Sequence, residues 1–197
     1  MTVEVGSFLT VSGKVISPLS DSDLDFDDLI HSISLICRYG GHVPEFYSVA
    51  QHSVLVYRHI KEEYPEDKNL QLHALVHDLA EGIVNDMISP LKRAMQHLTY
   101  AELNSSYDIL EKHAHEMVYN NLGVELPTPE QKNIVKNADL AVMWAEMEDL
   151  RGLDQEYHGK LGFDIPNISR YEKTIKPWLS SDAKSIFRNL LIELMRK

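Results

Sequence analysis

Residues 67–86 read DKNLQLHALVHDLAEGIVND, and this stretch decides the fold class. Leu72, Leu75, Val76, Leu79 and Ile83 recur at steps of three and four, the spacing of one helical face. The expected helix runs from about residue 67 to 84. Asn85-Asp86 with Ser89-Pro90 breaks it before a short turn at Leu91-Lys92-Arg93-Ala94. The same period extends outward. Upstream, Leu29, Ile33, Ile36 and Cys37 predict a helix that starts near Asp25 and ends at Gly40-Gly41. Another is expected from about residue 46 to 64, ended by Pro65. Downstream, a long helix is expected from about Thr99 to residue 121, closed by Gly123. Thr128-Pro129-Glu130-Gln131 then places a Thr cap, a Pro at the first helical position and a Gln three residues past the cap. That helix is expected to reach about residue 150 and stop at Gly152, and a last amphipathic helix covers residues 181–195. Only the first sixteen residues read as extended, with Ser12-Gly13 as a hairpin turn between two short apolar runs. The expected fold is all-α, a compact helical bundle with a small amino-terminal β-hairpin.

A chain of 197 residues is the size of one domain, with 44% apolar and 25% charged residues. It shows no repeat, low-complexity segment or interdomain linker. The expected single domain spans residues 1–197, with a core over about 25–151 and a carboxyl-terminal extension over 152–197. The formal net charge of −11 gives no electrostatic footprint for general nucleic-acid binding, and anionic membranes would repel the chain. One cysteine, Cys37, excludes an internal disulfide framework and suits a reducing cytosol. The first five residues lack the basic start and apolar run of a signal peptide, and no apolar stretch approaches the roughly 18 residues of a membrane span. The expectation is a soluble, cytoplasmic protein. Ten histidines in 197 residues stand out, because imidazole is a common metal ligand and acid–base group.

His77-Asp78-Leu79-Ala80-Glu81 lies within the opening stretch. A His-Asp pair alone says little, since a shuffled chain of this composition holds roughly 0.7 of them. Its setting says more. Glu81 falls three and four residues beyond Asp78 and His77, on the same helical face. Asp86 and Pro90-Leu91-Lys92 follow at once, His52 lies on the preceding helix, and Asp139 on the capped helix downstream. Two imidazoles and two carboxylates from three helices could complete a divalent metal site with positions left open for water and substrate. Such a nitrogen and oxygen set suits Mn, Fe, Co, Ni or Zn better than Ca. Water on that ion would be acidified, and Glu81 could take or relay its proton.

In this order the residues resemble the HD-domain metal-dependent phosphohydrolases, whose ligands run His, then His-Asp, then Asp. Here those positions are His52, His77-Asp78 and Asp139. The likeness is closest to the compact branch with bacterial 5′-deoxynucleotidases and phage dATP triphosphohydrolases. It is carried by residues 36–42, 47–53 and 77–93 within a similar span of about 8–151. The resemblance implies that His52, His77, Asp78 and Asp139 hold the metal and that Glu81 activates the attacking water. It implies that Arg38 and Lys92 meet substrate phosphates and that Asp86 accepts from the deoxyribose 3′-hydroxyl. Tyr39 and Pro90 would border the base, and Gly41 stands where some relatives carry a bulkier, base-discriminating residue. Self-association into a homo-oligomer is implied as well.

The implied activity is removal of phosphate from purine deoxynucleotides or analogues, with a triphosphate such as dATP preferred and Mg accompanying its phosphates. A 5′-deoxynucleotidase restricted to monophosphates is the alternative within the enzyme class. A nucleotide-sensing module without turnover is the alternative outside it, and retention of the proton-handling Glu81 argues against that. His31 and His42 flank the Arg38 segment and could approach substrate. His113 and His115, two apart on a helix, point to different sides, while His59, His73, His97 and His158 read as surface or boundary residues. Met143 and Trp144 read as core, and Cys37 as a small buried hydrophobe in an apolar helix.

Overall fold

The fold is seen in a computed structural model, which describes residues 5–98, 102–154 and 169–196. His158 and the expected helix start at Thr99 lie outside the described residues. The described residues are all-α apart from one antiparallel hairpin. Strands β1 (Phe8–Leu9) and β2 (Val15–Ile16) pair Phe8 with Ile16 and Leu9 with Val15. The turn between them has Gly13 at φ +86° and closes with the Gly13 amide donating to Thr10. Ser12 fastens the hairpin tip to the first helix, donating to Asp28 from both its amide (3.2 Å) and its hydroxyl (2.6 Å).

Helix α1 (Phe26–Leu35) is capped by Asp25 and buries Leu29, Ile30 and Ile33. It stops sooner than the periodicity suggests. Ile36 and Cys37 turn extended, Cys37 bridges to Ser48, and a 3-10 turn follows over Arg38–Gly41. Cys37 is therefore half-buried and outside any helix. Helix α2 (Val49–Glu63), capped by Ser48, is the central rod, buried on every side from Val49 to Tyr57. It separates two apolar clusters. One gathers Leu29, Val54, Leu75, Met117 and Phe187, and the other Val56, Ile60, Val135, Val142 and Ile175.

The opening stretch forms two helices instead of one. Helix α3 (Lys68–Val76) and helix α4 (Glu81–Val84) are separated by a turn at residues 77–80. In that turn the amides of Leu79, Glu81 and Gly82 donate three residues back, tighter than an α-helix. Gly82 lets the turn approach α1 closely, because a Cβ would stand 3.1 Å from the Leu29 carbonyl oxygen. Residues expected as a short turn belong to a longer helix, α5 (Ser89–Leu98). Helix α6 (Glu102–Leu122) follows, then α7 (Pro129–Arg151), which opens with a full capping box between Thr128 and Gln131 and closes at left-handed Gly152. Helix α8 (Ser180–Met195) packs on α1, α2 and α3 and gives Ala183, Phe187 and Leu191 to the core. No helix among the described residues is long and apolar enough to cross a membrane.

Candidate metal centre

Three elements converge at the first turn of α2. His52 stands there with no exposed surface, His77 and Asp78 come from the turn after α3, and Asp139 from the middle of α7. One ligand atom each from His52, His77 and Asp139 fits within a 4.8 Å group that could hold a metal ion. Asp139 Oδ1 lies 3.1 Å from His52 Nε2. Asp78 Oδ2 reaches into the same volume, 3.2 Å from His77 Nε2 and 3.7 Å from His52 Nε2.

The backs of both imidazoles are anchored. His77 Nδ1 donates to the Ala74 carbonyl at 2.8 Å, and His52 Nδ1 donates to Glu146 Oε1 at 2.6 Å. Each ring is thereby held with its Nε2 facing the shared volume, the orientation in which a metal would be bound. Both Nε2 atoms are buried without a hydrogen-bond partner. Two imidazole nitrogens and two carboxylates converging on one volume fit a divalent ion of the transition series by the chemistry of the donor set.

Glu146 is the residue that sequence reasoning missed. Fully buried, it accepts from Tyr39 (2.6 Å) and Tyr47 (2.7 Å) as well as His52, and Arg38 Nε lies 3.4 Å away. Its signal was its phase. It sits two turns after Asp139 on α7, within the otherwise apolar run Val142, Met143, Trp144, Ala145 and Met147. Burial alone would raise its carboxyl, yet the Arg38 and His52 charges bring it down to about 2. Burial and Arg38 push His52 down, but Glu146 and Asp139 outweigh them and raise it to about 9. Burial likewise opposes ionisation of Asp78 and Asp139, and the neighbouring histidines hold both below the usual carboxylate range.

Glu81 behaves in the opposite way. Burial, reinforced by Asp78 and Asp86, pushes its carboxyl well up, and its Oε2 is buried without a partner. Asp86 is raised by burial too, with Arg38 and Lys92 pulling against that shift. Arg38 Nη1 lies 3.5 Å from Asp78 Oδ2, so the guanidinium borders the ligand set. Lys92 on α5 pairs with Glu111 at 2.8 Å and lies over the Tyr107 ring.

The residues expected around a base are more scattered. Tyr39 has its hydroxyl committed to Glu146 and its ring flanked by the Arg38 and Arg151 guanidiniums, in a left-handed backbone at φ 59°. Pro90, Gly41 and His42 are exposed, and a Cβ on Gly41 would meet nothing within 4 Å. His31 turns toward α8, 3.3 Å from Lys184 Nζ. His73, expected at the surface, is buried against Tyr119 with its Nδ1 3.2 Å from the phenol oxygen. Met143 and Trp144 are half-buried at the edge of the core.

No family model matches the chain. It is 34% identical over 147 residues to the uncharacterized protein YfdR of Escherichia coli K12, covering 74% of this chain and 72% of that one. The chain belongs to the family of YfdR. A second relative, the uncharacterized protein RCAP_rcc00048 of Rhodobacter capsulatus, is 32% identical over 138 residues, 68% of this chain and 66% of its own length.

Proposed function

We propose that this chain is an HD-type metal-dependent phosphohydrolase acting on purine deoxynucleotides or close analogues, with a triphosphate such as dATP preferred. The observation that carries the reading is the pair of buried Nε2 atoms of His52 and His77, which converge with Asp78 and Asp139 at separations of 3.1–3.7 Å. A divalent transition ion held there would supply Lewis acidity toward a phosphoryl oxygen and acidify a water. Glu81 gives up its own proton once cationic charge sits among the carboxylates, and then takes the proton of the attacking water. Arg38 borders the same volume and stabilises charge gathering on the phosphoryl oxygens, with Lys92 and Asp86 beyond Glu81 at the substrate's polar edge. Mg travelling with the phosphates offsets part of a triphosphate's charge. A cytoplasmic setting and self-association belong to the same proposal.

The experiment is product analysis with metal-stripped protein reconstituted separately with Mn, Co, Ni, Zn and Mg, offered dATP, dADP, dAMP and ATP. The reading expects hydrolysis of dATP with at least one transition ion. Deoxyadenosine with intact triphosphate reports one-step attack at the α-phosphorus, whereas dADP, dAMP and phosphate appearing in turn report attack from the γ end. Turnover of dAMP alone replaces the triphosphate preference by a nucleotidase. Binding without turnover under every metal overturns the enzymatic reading in favour of a sensor.

A further inference from the structure

Helices α6 and α7 are consecutive in the chain, yet a cavity of about 410 Å³ lies between them. His77 and Asp139 form part of its wall, so it opens on the candidate metal centre. None of Arg38, Tyr39, Glu81, Asp86, Pro90 or Lys92 lines it. Its volume falls in the range of small-molecule sites. On α7 the lining residues run from Lys132 through Val135 and Lys136 to Asp139, a stripe about 10 Å long at 1.5 Å per residue.

The lining changes character along that length. Lys136 stands one turn from Asp139 and pairs with it at 2.7 Å. Lys112 stands one turn from His115, whose ring feels the charges of Asp78 and His77. Lys112 is in turn held at 3.7 Å by Glu116 of the same wall, so each lysine near the metal end stands beside a carboxylate. Away from it, one turn further along α3 and α6, the wall is His73 against Tyr119, followed by Val135 and by Leu126 and Pro127 of the α6–α7 connection. This end is aromatic and apolar apart from Lys132 of α7. A ligand that matches both ends carries a phosphate at one end and a planar or apolar organic group at the other, about 10 Å away.

We infer that the α6–α7 cavity receives the organic end of a phosphate ester whose phosphate lies at the His77–Asp139 end, with Tyr119, Val135, Leu126 and Pro127 as its wall. This rests on the proposed phosphohydrolase reading and moves the organic group away from Tyr39 and Pro90. Tyr39 is the less suitable wall because its hydroxyl and both ring neighbours are already engaged within the protein.

The test is calorimetric titration of the full, Mn-loaded chain with dAMP, phenyl phosphate and inorganic phosphate. Three variants follow: Leu126→Trp, Pro127→Trp and Tyr39→Ala. Leu126 is 46% exposed, so a larger ring there fills the cavity end without entering the core. The two Trp variants are expected to weaken dAMP by at least tenfold and leave phenyl phosphate, whose ring stays near the phosphate, and inorganic phosphate within twofold of wild type. Tyr39→Ala is expected to leave the ratio of dAMP to inorganic phosphate affinity unchanged. Unaltered dAMP binding in both Trp variants overturns the cavity assignment and leaves the phosphohydrolase reading standing. Absence of binding by all three phosphates to the wild-type Mn form overturns both.

Discussion

The two flanks of the metal centre handle charge in opposite ways. On the α2–α7 flank, Glu146 is ionised, receives three hydrogen bonds and lies against a guanidinium, all without exposed surface. On the α4–α5 flank, Glu81 and Asp86 are raised acids in a half-open setting, and one Glu81 oxygen has no partner. The contrast separates two tasks that carboxylates perform. A saturated, ionised carboxylate fixes a ring in place. An unsaturated acid held near neutrality can exchange a proton.

Asp78 lies where the flanks meet, touching Arg38, His52 and His77, so its removal is the harshest way to break the comparison. Asp78→Ala is expected to lose bound metal after desalting and to lose turnover with it. Elemental analysis beside the product assay checks this, and full metal content with full activity would remove Asp78 from the centre. Glu81→Ala acts on the open flank alone. Metal content is expected to stay at the wild-type level while the rate falls by a factor on the order of 10²–10⁴. An unchanged rate leaves Glu81 with a purely structural place at the start of α4.

Much of this was legible beforehand because helical periodicity and caps are local. Thr128-Pro129-Glu130-Gln131 names its own helix start, and the capping box is there. The hairpin at Ser12-Gly13 forms for the same reason. The break at His77 was not legible. Leu79 and Ile83 continue the apolar period across it, and the close approach of Gly82 to the α1 backbone is a tertiary contact that no local pattern reports. His52, His77 and Asp139 were readable as a set through the family likeness, and the structure brings them together. Glu146 escaped because its partners Tyr39, Tyr47 and His52 are about 94–107 positions away in the chain, a separation no local pattern reports. The cavity escaped likewise, since it depends on how far α6 stands from α7.

Glu146→Gln sharpens the comparison with the smallest expected effect, because the amide keeps the shape and removes the charge. If the carboxylate orients and charges the His52 ring, metal affinity falls by about 10–100-fold, the usual cost of losing such a support. A pH signature separates that role from mere packing. In metal-free protein His52 titrates at about 9 instead of its ordinary 6.5. The folded state therefore holds this proton more tightly than the unfolded chain. The resulting stability is complete below pH 6.5 and is lost as the pH rises through about 9. Urea unfolding of chelator-treated wild type is expected to show its midpoint fall between those values. In Glu146→Gln the fall flattens, because the largest charge that raises His52 is gone. A Gln variant that binds Mn as tightly as wild type and keeps the full pH slope would show that Glu146 only fills space beneath the ring.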